Sequence, residues 1–131
     1  MADVQPHGAA PQHEAPCLFC RIVAGDIPAA NVAEGPLTLA FRDVNPTAPT
    51  HMLVVPKMHI EHAGVLDAGH GAVIAEMFTT AQSAAAVDGL DSERGYRLVF
   101  NVGRDSGNSV PHLHLHVIGG RRLGWPPFSD V

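Results

Sequence analysis

The stretch His112-Leu113-His114-Leu115-His116-Val117 decides how this sequence is interpreted, because histidine and apolar residues alternate in it without a break. Successive side chains of a β-strand point to opposite faces of the sheet. The stretch therefore predicts a strand over 112–118, with three imidazoles on one face and apolar side chains on the face toward the core. The histidine side chains would be about 6–7 Å apart at their roots, given the rise per residue of a strand.

Three other segments have the composition of strands bounded by turn residues, namely 38–42, 52–55 and 96–102. The first two would be joined by a proline-rich turn at 45–49, and Pro56 would end the second. These segments predict an antiparallel sheet.

Two helices are expected. Residues 70–87 are rich in alanine and free of proline, and Gly89 would end this long helix. A short helix is predicted over 17–24, before Gly25. The long helix covers one face of the sheet in an α+β domain. Its apolar residues recur at spacings of three and four: Val73, Met77, Ala81 and Ala84.

Composition and charge limit the class of protein. The chain has 131 residues, 46% of them hydrophobic, which suits one globular core. Its net charge of −5 gives no reason to expect nucleic acid or an acidic membrane as a partner. There is no apolar run of membrane-spanning length and no signal-peptide pattern, so we expect a cytoplasmic protein. Residues 1–16 are predicted to be a disordered leader before a single domain over 17–131.

Three histidines on one strand face allow two kinds of chemistry. The central one could be a nucleophile, since imidazole attacks phosphorus when one nitrogen is unprotonated and the other is held by an acceptor. The loop 107–109 offers backbone N–H groups and a hydroxyl to phosphate oxygens. Alternatively, two or three of the histidines bind zinc, because His-x-His on a strand is a common ligand pair. A histidine-rich face without function is the remaining alternative.

The rest of the chain favours the nucleophile. From about Cys17 to Trp125 the sequence resembles the histidine triad family, in its phosphoramidase branch. The resemblance spans more than four-fifths of the chain. The segments that carry it are, in order, IVAGDIPA (22–29), LAFRDVNPTAPTHMLVVPKMHI (39–60), GYRLVFNVG (95–103), SGNSVPHLHLHVIGGR (106–121) and WPPF (125–128).

The resemblance implies about five antiparallel strands, a homodimer, and an enzyme that hydrolyses adenosine 5′-monophosphoramidates. His114 would attack the α-phosphorus and form AMP-His114, which water then cleaves. His112 and His116 would flank it, and His51 would support it from the neighbouring strand. Ser109 would lie near the leaving nitrogen and relay a proton together with His116. The chemistry itself would need no metal.

The same resemblance implies a pocket for a purine mononucleotide. Asp43 would bind the ribose hydroxyls, although it could instead cap the turn at Asn45. Ser109 could merely bond its own backbone. Asn108 stands where the branch usually has glutamine, which reaches about one methylene further. The adenine would be bordered by Phe19, Ile22, Ile27, Phe41 and Val44. Taken individually, residues such as the first four are more often core residues than part of a ligand site. The phosphate would be held by Asn101, Gly107, Asn108 and Ser109.

Cys17 and Cys20 have the spacing of half a zinc site, which needs a second half. Many bacterial members of the wider family resemble this chain in carrying such a pair, which binds zinc with two histidines, here His59 and His112. That site would be structural: it would tie the N-terminal helix to the sheet without activating water. A redox pair or two thiols without a metal are the alternatives.

Other functions remain open at this point. Related activities of the family are hydrolysis of dinucleoside polyphosphates and nucleotidyl transfer, and a different class is a nucleotide-sensing module whose hydrolysis is incidental. The ending Trp125-Pro126-Pro127 resembles the phosphoramidase branch, in which it reaches toward the pocket of the partner subunit. A lone tryptophan there has no strand or helix of its own to join, so we expect it to dock on a partner copy or on its own subunit.

Overall fold

The computed structural model describes residues 17–107 and 110–128, and the predicted leader 1–16 lies outside them. Within the described ranges, neither α-helix is long and apolar enough to cross a membrane. Three short 3-10 helices connect the main elements, at Ala63–Val65, Ala68–His70 and Arg104–Ser106. The main elements are α1 (Leu18–Val23), β1 (Asn31–Glu34), β2 (Thr38–Arg42), β3 (Thr50–Pro56), α2 (Gly71–Val87), β4 (Tyr96–Phe100) and β5 (Leu115–Gly119).

The five strands form one antiparallel sheet in the order β1-β2-β3-β5-β4. Strand β5 therefore lies between β3 and β4, where Leu53 of β3 pairs with His116 and Val99 of β4 pairs with it from the other side. Helix α2 packs against β1, β2, β3 and β5. The α+β prediction, with one long helix on an antiparallel sheet, is confirmed.

The alternation of side chains divides the core between the two faces of the sheet. The face under α2 is packed by the apolar side of the helix, as its spacing predicts. The other face is covered by α1. Under α2 lie Ala40, Met52, Val54, Leu113, Leu115 and Val117 with Val73, Met77, Ala81 and Ala84. On the face that α1 covers, Cys17, Phe19 and Cys20, from α1 and its N-cap, pack with Leu39, Phe41, Leu53 and Val55 of the sheet.

The prediction of a strand over 112–118 is wrong at its start, since β5 begins only at Leu115. Pairing with β3 ends at Val54 opposite Leu115, and the same register would place Val55 opposite His114 and Pro56 opposite Leu113. Proline has no N–H to donate, so the ladder ends there. The preceding segment bonds elsewhere, with the Leu113 N–H donating to the carbonyl of Ile60 at 2.6 Å.

Other boundaries differ by smaller amounts. Strand β3 begins two residues before the predicted 52–55, and β4 ends at Phe100, two residues before the predicted end. The edge strand β1 was not singled out by the sequence pattern, because it is four residues long and none of its residues is buried. Both predicted helix stops are present, as Gly25 and Gly89 have φ values of +83° and +74° that favour glycine.

A hydrogen-bonded ion pair fastens the end of α2 to the sheet. Arg42 of β2 donates two hydrogen bonds to Asp88, at 2.8 and 3.0 Å, and the Thr50 hydroxyl donates a third at 2.6 Å. These bonds lower the pKa of Asp88 to about 2. The network holds the ends of β2 and β3 beside Asp43 and His51, which follow Arg42 and Thr50 in the sequence.

Candidate active site and metal-binding cluster

The three histidine rings lie on the face of the sheet that α1 covers, although only His116 belongs to a strand. The ring centroids of His114 and His116 are 5.0 Å apart. Phe19 of α1 contacts His114 edge-on at 5.1 Å and His112 at 5.9 Å. The leucines between the histidines are buried under α2. Residues 112–114, which precede β5, therefore keep the same alternation of side chains between the two faces as the strand itself.

The hydrogen bond of His114 fixes its tautomer. Its Nδ1 atom lies 2.7 Å from the carbonyl oxygen of His112. A carbonyl can only accept, so Nδ1 carries the proton and donates it. In the neutral ring, Nε2 then keeps an unshared electron pair. A histidine that attacks phosphorus needs this state.

A second hydrogen-bond chain reaches His116 from β3. The backbone N–H of Thr47 donates to His51 Nδ1 at 3.1 Å, so the proton of the neutral His51 ring is on Nε2. His51 Nε2 in turn lies 2.9 Å from His116 Nδ1 and donates to it. The neutral His116 ring therefore carries its own proton on Nε2. Asp43 Oδ2 lies 3.4 Å from His51 Nε2, beside this chain.

Burial keeps the two histidines of this hydrogen-bond chain, His51 and His116, neutral. It lowers the pKa of His116 to about 4, an effect that the nearby His114 and His51 rings increase and Asp43 opposes. Burial also lowers the pKa of His51, against the attraction of Asp43. At neutral pH the single-proton tautomers are therefore the ones present.

The predicted adenine wall is only partly assembled. Phe19 and Phe41 are buried and contact each other edge-on at 5.7 Å, so both are core residues whose edges border the histidines. Ile22 packs against the same cluster, and Ile27 is half-buried. Val44 is 89% exposed. The structure gathers four of these five side chains in or near the interior and leaves Val44 in solvent.

The predicted polar contacts are placed as follows. Asp43 Oδ1 accepts from the Asn45 N–H at 2.8 Å, so the turn-capping alternative is correct for this oxygen, while Oδ2 faces His51. Asn101 donates from Nδ2 to the carbonyl of Ser106 at 2.7 Å, which closes the loop before Gly107. Positions Asn108 and Ser109 lie outside the described residues.

Thr47 is a contact that the sequence pattern does not reveal. It acts on His51 through its backbone N–H, and every residue except proline supplies that group. Its hydroxyl lies 3.3 Å from the same nitrogen. The usable signal is only the turn composition around Asn45 and Pro46, which indicates a turn but not its partner.

Cys17, Cys20, His59 and His112 converge on one point, with their four ligand atoms within 4.8 Å of one another. His112 Nδ1 is 3.3 Å from each sulfur, and His59 Nδ1 is 3.1 Å from the sulfur of Cys20. The two cysteines are not joined by a disulfide. The sequence pair and its two implied histidine partners are therefore brought together.

The donor set fits zinc. Two thiolates and two imidazoles are a common tetrahedral zinc set. His112 Nε2 donates to the carbonyl of Pro56 at 3.0 Å, which leaves the lone pair of Nδ1 directed at the sulfurs. A carbonyl that accepts a hydrogen bond from the other ring nitrogen in this way orients a metal-binding histidine. Burial lowers the pKa of His112 to about 4, so the ring is neutral, as a ligand must be.

Asp43, His51 and His116 form another group of convergent donor atoms. A cation there would require the lone pair of His51 Nε2. The Thr47 N–H already donates to Nδ1 of that ring, which places the proton of the neutral ring on Nε2. Hydrogen bonds therefore account for this group, and the structure gives no reason to place a metal in it.

The family of the chain follows from comparison with known proteins. The model of the HIT domain matches residues 24–123, about three-quarters of the chain. The chain belongs to the HIT, or histidine triad, family. The family that the sequence resembles is confirmed, while the phosphoramidase branch stays a prediction.

Three relatives illustrate the match. The crystal structure of a HIT family hydrolase from Legionella pneumophila has 48% sequence identity and a TM-score of 0.81, over 85% of this chain and 98% of that one. A HIT-like protein of Synechococcus elongatus is 46% identical over 84% of this chain and 95% of its own length. The 14 kDa zinc-binding protein of Zea mays is 40% identical over 87% of this chain and 89% of its own.

Proposed function

We propose that this HIT protein hydrolyses adenosine 5′-monophosphoramidates through a covalent AMP-His114 intermediate. The observation that carries the proposal is the hydrogen bond from His114 Nδ1 to the carbonyl of His112, because it leaves Nε2 as a nucleophile. Relatives whose structures are described as HIT family hydrolases support the general reaction class.

In the first step, the lone pair of His114 Nε2 forms a bond to the α-phosphorus and the phosphorus–nitrogen bond breaks. The departing amine takes up a proton that reaches it from solvent through Ser109 and His116. Because burial keeps His116 neutral near pH 7, it relays this proton and does not store it. The new imidazolium on His114 is stabilised by its Nδ1–H bond to the His112 carbonyl.

In the second step, water attacks the same phosphorus, AMP leaves His114, and the proton of the water returns to the relay. The two steps together convert the phosphoramidate and water into AMP and the free amine. Dividing the reaction in this way avoids direct attack of water on a charged phosphoramidate. No metal takes part in either step.

The nucleotide is held by groups around the triad. Asp43 Oδ2 binds the ribose hydroxyls, which replace its contact with His51 Nε2. Phe19, Ile22, Ile27, Phe41 and Val44 border the adenine, and Asn101, Gly107, Asn108 and Ser109 hold the phosphate. The exposed position of Val44 suits a residue that is covered only when the base binds.

We also propose a structural zinc ion held by Cys17, Cys20, His59 and His112. The maize relative is described as a zinc-binding protein, which supports this assignment, as do the four convergent donor atoms. With four protein ligands the ion has no position left for water. Its role is therefore structural: it ties α1 to the segment 112–116 that carries the three histidines.

The protein is further proposed to be a homodimer that forms along β4. This strand is at the edge of the sheet, and apolar side chains near it are exposed. Arg97 of β4 donates to the carbonyls of Gly124 and Pro127 and lies 5.8 Å from the centre of the Trp125 ring. The exposed apolar residues on or near β4 are Phe78, Leu98, Val102, Trp125 and Phe128.

Mass spectrometry of a reaction quenched during turnover tests the proposed function. Wild-type protein mixed with adenosine 5′-phosphoramidate should carry one AMP on the peptide that contains His114. His114→Ala should lose the adduct and several powers of ten in kcat, while it still binds AMP. The control His62→Ala, which removes a side chain that caps a 3-10 helix, should keep the adduct. An active wild-type enzyme without an adduct would refute the mechanism.

A further inference from the structure

His112 belongs to the metal-binding cluster and to the active site at once. Its ring nitrogen Nδ1 is 3.3 Å from the sulfurs of Cys17 and Cys20. Its carbonyl oxygen, in the same residue, accepts the Nδ1–H of His114 at 2.7 Å. Whatever holds the His112 ring therefore also holds the group that orients His114.

The backbone at His112 is not held by the sheet. Strand β5 begins at Leu115, and its pairing with β3 and β4 includes no residue before Leu115. The carbonyl of His112 thus depends on local anchors for its position. These are the ring, whose Nε2 donates to the Pro56 carbonyl at 3.0 Å, and two backbone bonds, from the His112 N–H to the Val110 carbonyl at 2.9 Å and from the Leu113 N–H to the Ile60 carbonyl.

Phe19 provides a second connection between the cluster and the site. It lies between Cys17 and Cys20 in the sequence, on the six-residue helix α1. The Cys17 sulfur caps the first turn of this helix by accepting the Cys20 N–H at 3.3 Å. Its ring contacts His112, His114 and Phe41 edge-on. A displacement of the cysteines would therefore move a side chain that touches His114.

We infer that His112 is a positioning residue through which zinc loading of the Cys17–Cys20–His59–His112 cluster sets the reactivity of His114. This inference rests on the proposed function. Zinc fixes the ring of His112, the ring fixes its carbonyl, and the carbonyl keeps the proton of His114 on Nδ1. The ion acts on the geometry of the nucleophile and touches neither substrate nor water.

The effect on rate follows from the sensitivity of catalysis to placement. A shift of about 1 Å in a catalytic group costs on the order of a hundredfold in rate. The segment at His112 retains its bonds to Pro56 and Ile60 without zinc, so a smaller loss, at least about tenfold, is expected. The loss should appear in the transfer of AMP to His114, with a smaller change in AMP affinity, because Asp43 lies outside the cluster.

Substitutions at His59 separate this inference from a general loss of structure. His59 contacts Cys20 and, edge-on at 4.9 Å, His112. His59→Ala removes one ligand, whereas His59→Cys keeps four. We expect His59→Ala to lose its zinc and transfer AMP at least about tenfold more slowly. We expect His59→Cys to regain zinc, at about one ion per chain, and most of the transfer rate.

Nitrogen NMR of the histidine rings gives a readout that does not depend on activity. Zinc-loaded wild-type protein should show the proton of His114 on Nδ1, and zinc-free His59→Ala should show a mixture of Nδ1 and Nε2 tautomers. Circular dichroism checks that each variant is folded. If His59→Ala does not fold, removal of zinc from the wild type by a chelator, followed by reloading with zinc, makes the same comparison.

The outcomes distinguish the two proposals. A folded, zinc-free protein with the wild-type transfer rate and an unchanged His114 tautomer would overturn the inference while leaving the proposed function intact. A zinc-loaded wild type that forms no AMP-His114 would refute the proposed function instead. In that case the tautomer measurement alone would still decide whether zinc orients His114.

Discussion

The Nε2 atom of His51 on β3 lies 2.9 Å from the Nδ1 atom of His116 on β5. Adjacent strands thus supply consecutive members of a hydrogen-bond chain that starts at the N–H of Thr47. The chain fixes which nitrogen of each ring carries a proton. His116 is left with its Nε2 proton available to a ligand in the pocket.

Substitution of His51 should reveal this role. His51→Leu removes the donor to His116, and we expect kcat to fall about a hundredfold, the lower range for loss of acid–base assistance, with less change in KM. His51→Gln should keep a larger share of kcat, since the amide nitrogen of glutamine can replace Nε2 as the donor. Steady-state kinetics with adenosine 5′-phosphoramidate measure both. Equal losses for the two variants would contradict a role in fixing the tautomer.

The stability of the protein should fall as the pH drops from about 6.5 to about 4. Burial lowers the folded-state pKa of His116 to about 4, while that of an unfolded histidine is about 6.5. The unfolded state therefore binds more protons in this range, and protonation favours unfolding. The stabilisation due to the neutral His116 ring is fully present above the pKa of the unfolded state. It is lost progressively as the pH falls from that value to the pKa of the folded state.

Thermal unfolding of wild type and His116→Gln between pH 4 and pH 7 measures this dependence, and the variant should show a shallower slope. The contribution of His112 is common to both proteins, so it does not affect the difference between their slopes. Asp88 does not interfere, because its folded pKa is about 2 and its effect appears below the unfolded value of 3.8. Identical slopes for the two proteins would mean that His116 is not the group responsible.

The fold follows from the sequence wherever periodicity is strong. The spacing along α2 identified its buried face, and the alternation at 112–117 identified which rings share a face. The alternation could not predict the residue at which β5 begins, because the start of its pairing depends on Pro56 of the neighbouring strand β3. Strand β1 is too short and exposed for a pattern. The bond from Thr47 uses only backbone, so no side chain signals it.

Asp43→Asn should weaken ribonucleotides far more than 2′-deoxynucleotides. The substitution keeps an oxygen that can cap the Asn45 N–H, so the turn is preserved and only the charge is lost. A hydrogen bond to a charged group contributes roughly 1.5–3 kcal/mol, so AMP should bind about tenfold or more weakly. Calorimetric titration with AMP and 2′-deoxy-AMP makes the comparison. Equal losses for both sugars would leave Asp43 with a structural role only.

Removal of the tail should change the preference of the enzyme for different amines while AMP still binds. Trp125 and Phe128 are 79% and 86% exposed, although Arg97 donates to the carbonyls of Gly124 and Pro127, which immediately precede them. So much apolar surface in water favours burial against a second copy. Docking costs little entropy, because Pro126 and Pro127 restrict the unbound tail.

Deletion of residues 125–131 should therefore alter relative kcat/KM among phosphoramidates with small and bulky amines, with the Kd of AMP nearly unchanged. Light scattering should find a dimer for the full chain at micromolar concentration. Leu37→Ala is the matched control, because it also removes an exposed apolar side chain but beside β2, on the half of the sheet away from β4. It should change neither the mass in solution nor the amine preference. A full-length monomer would show that the tail does not pack against a second copy. An unchanged amine preference after the deletion would show that the tail does not reach a pocket.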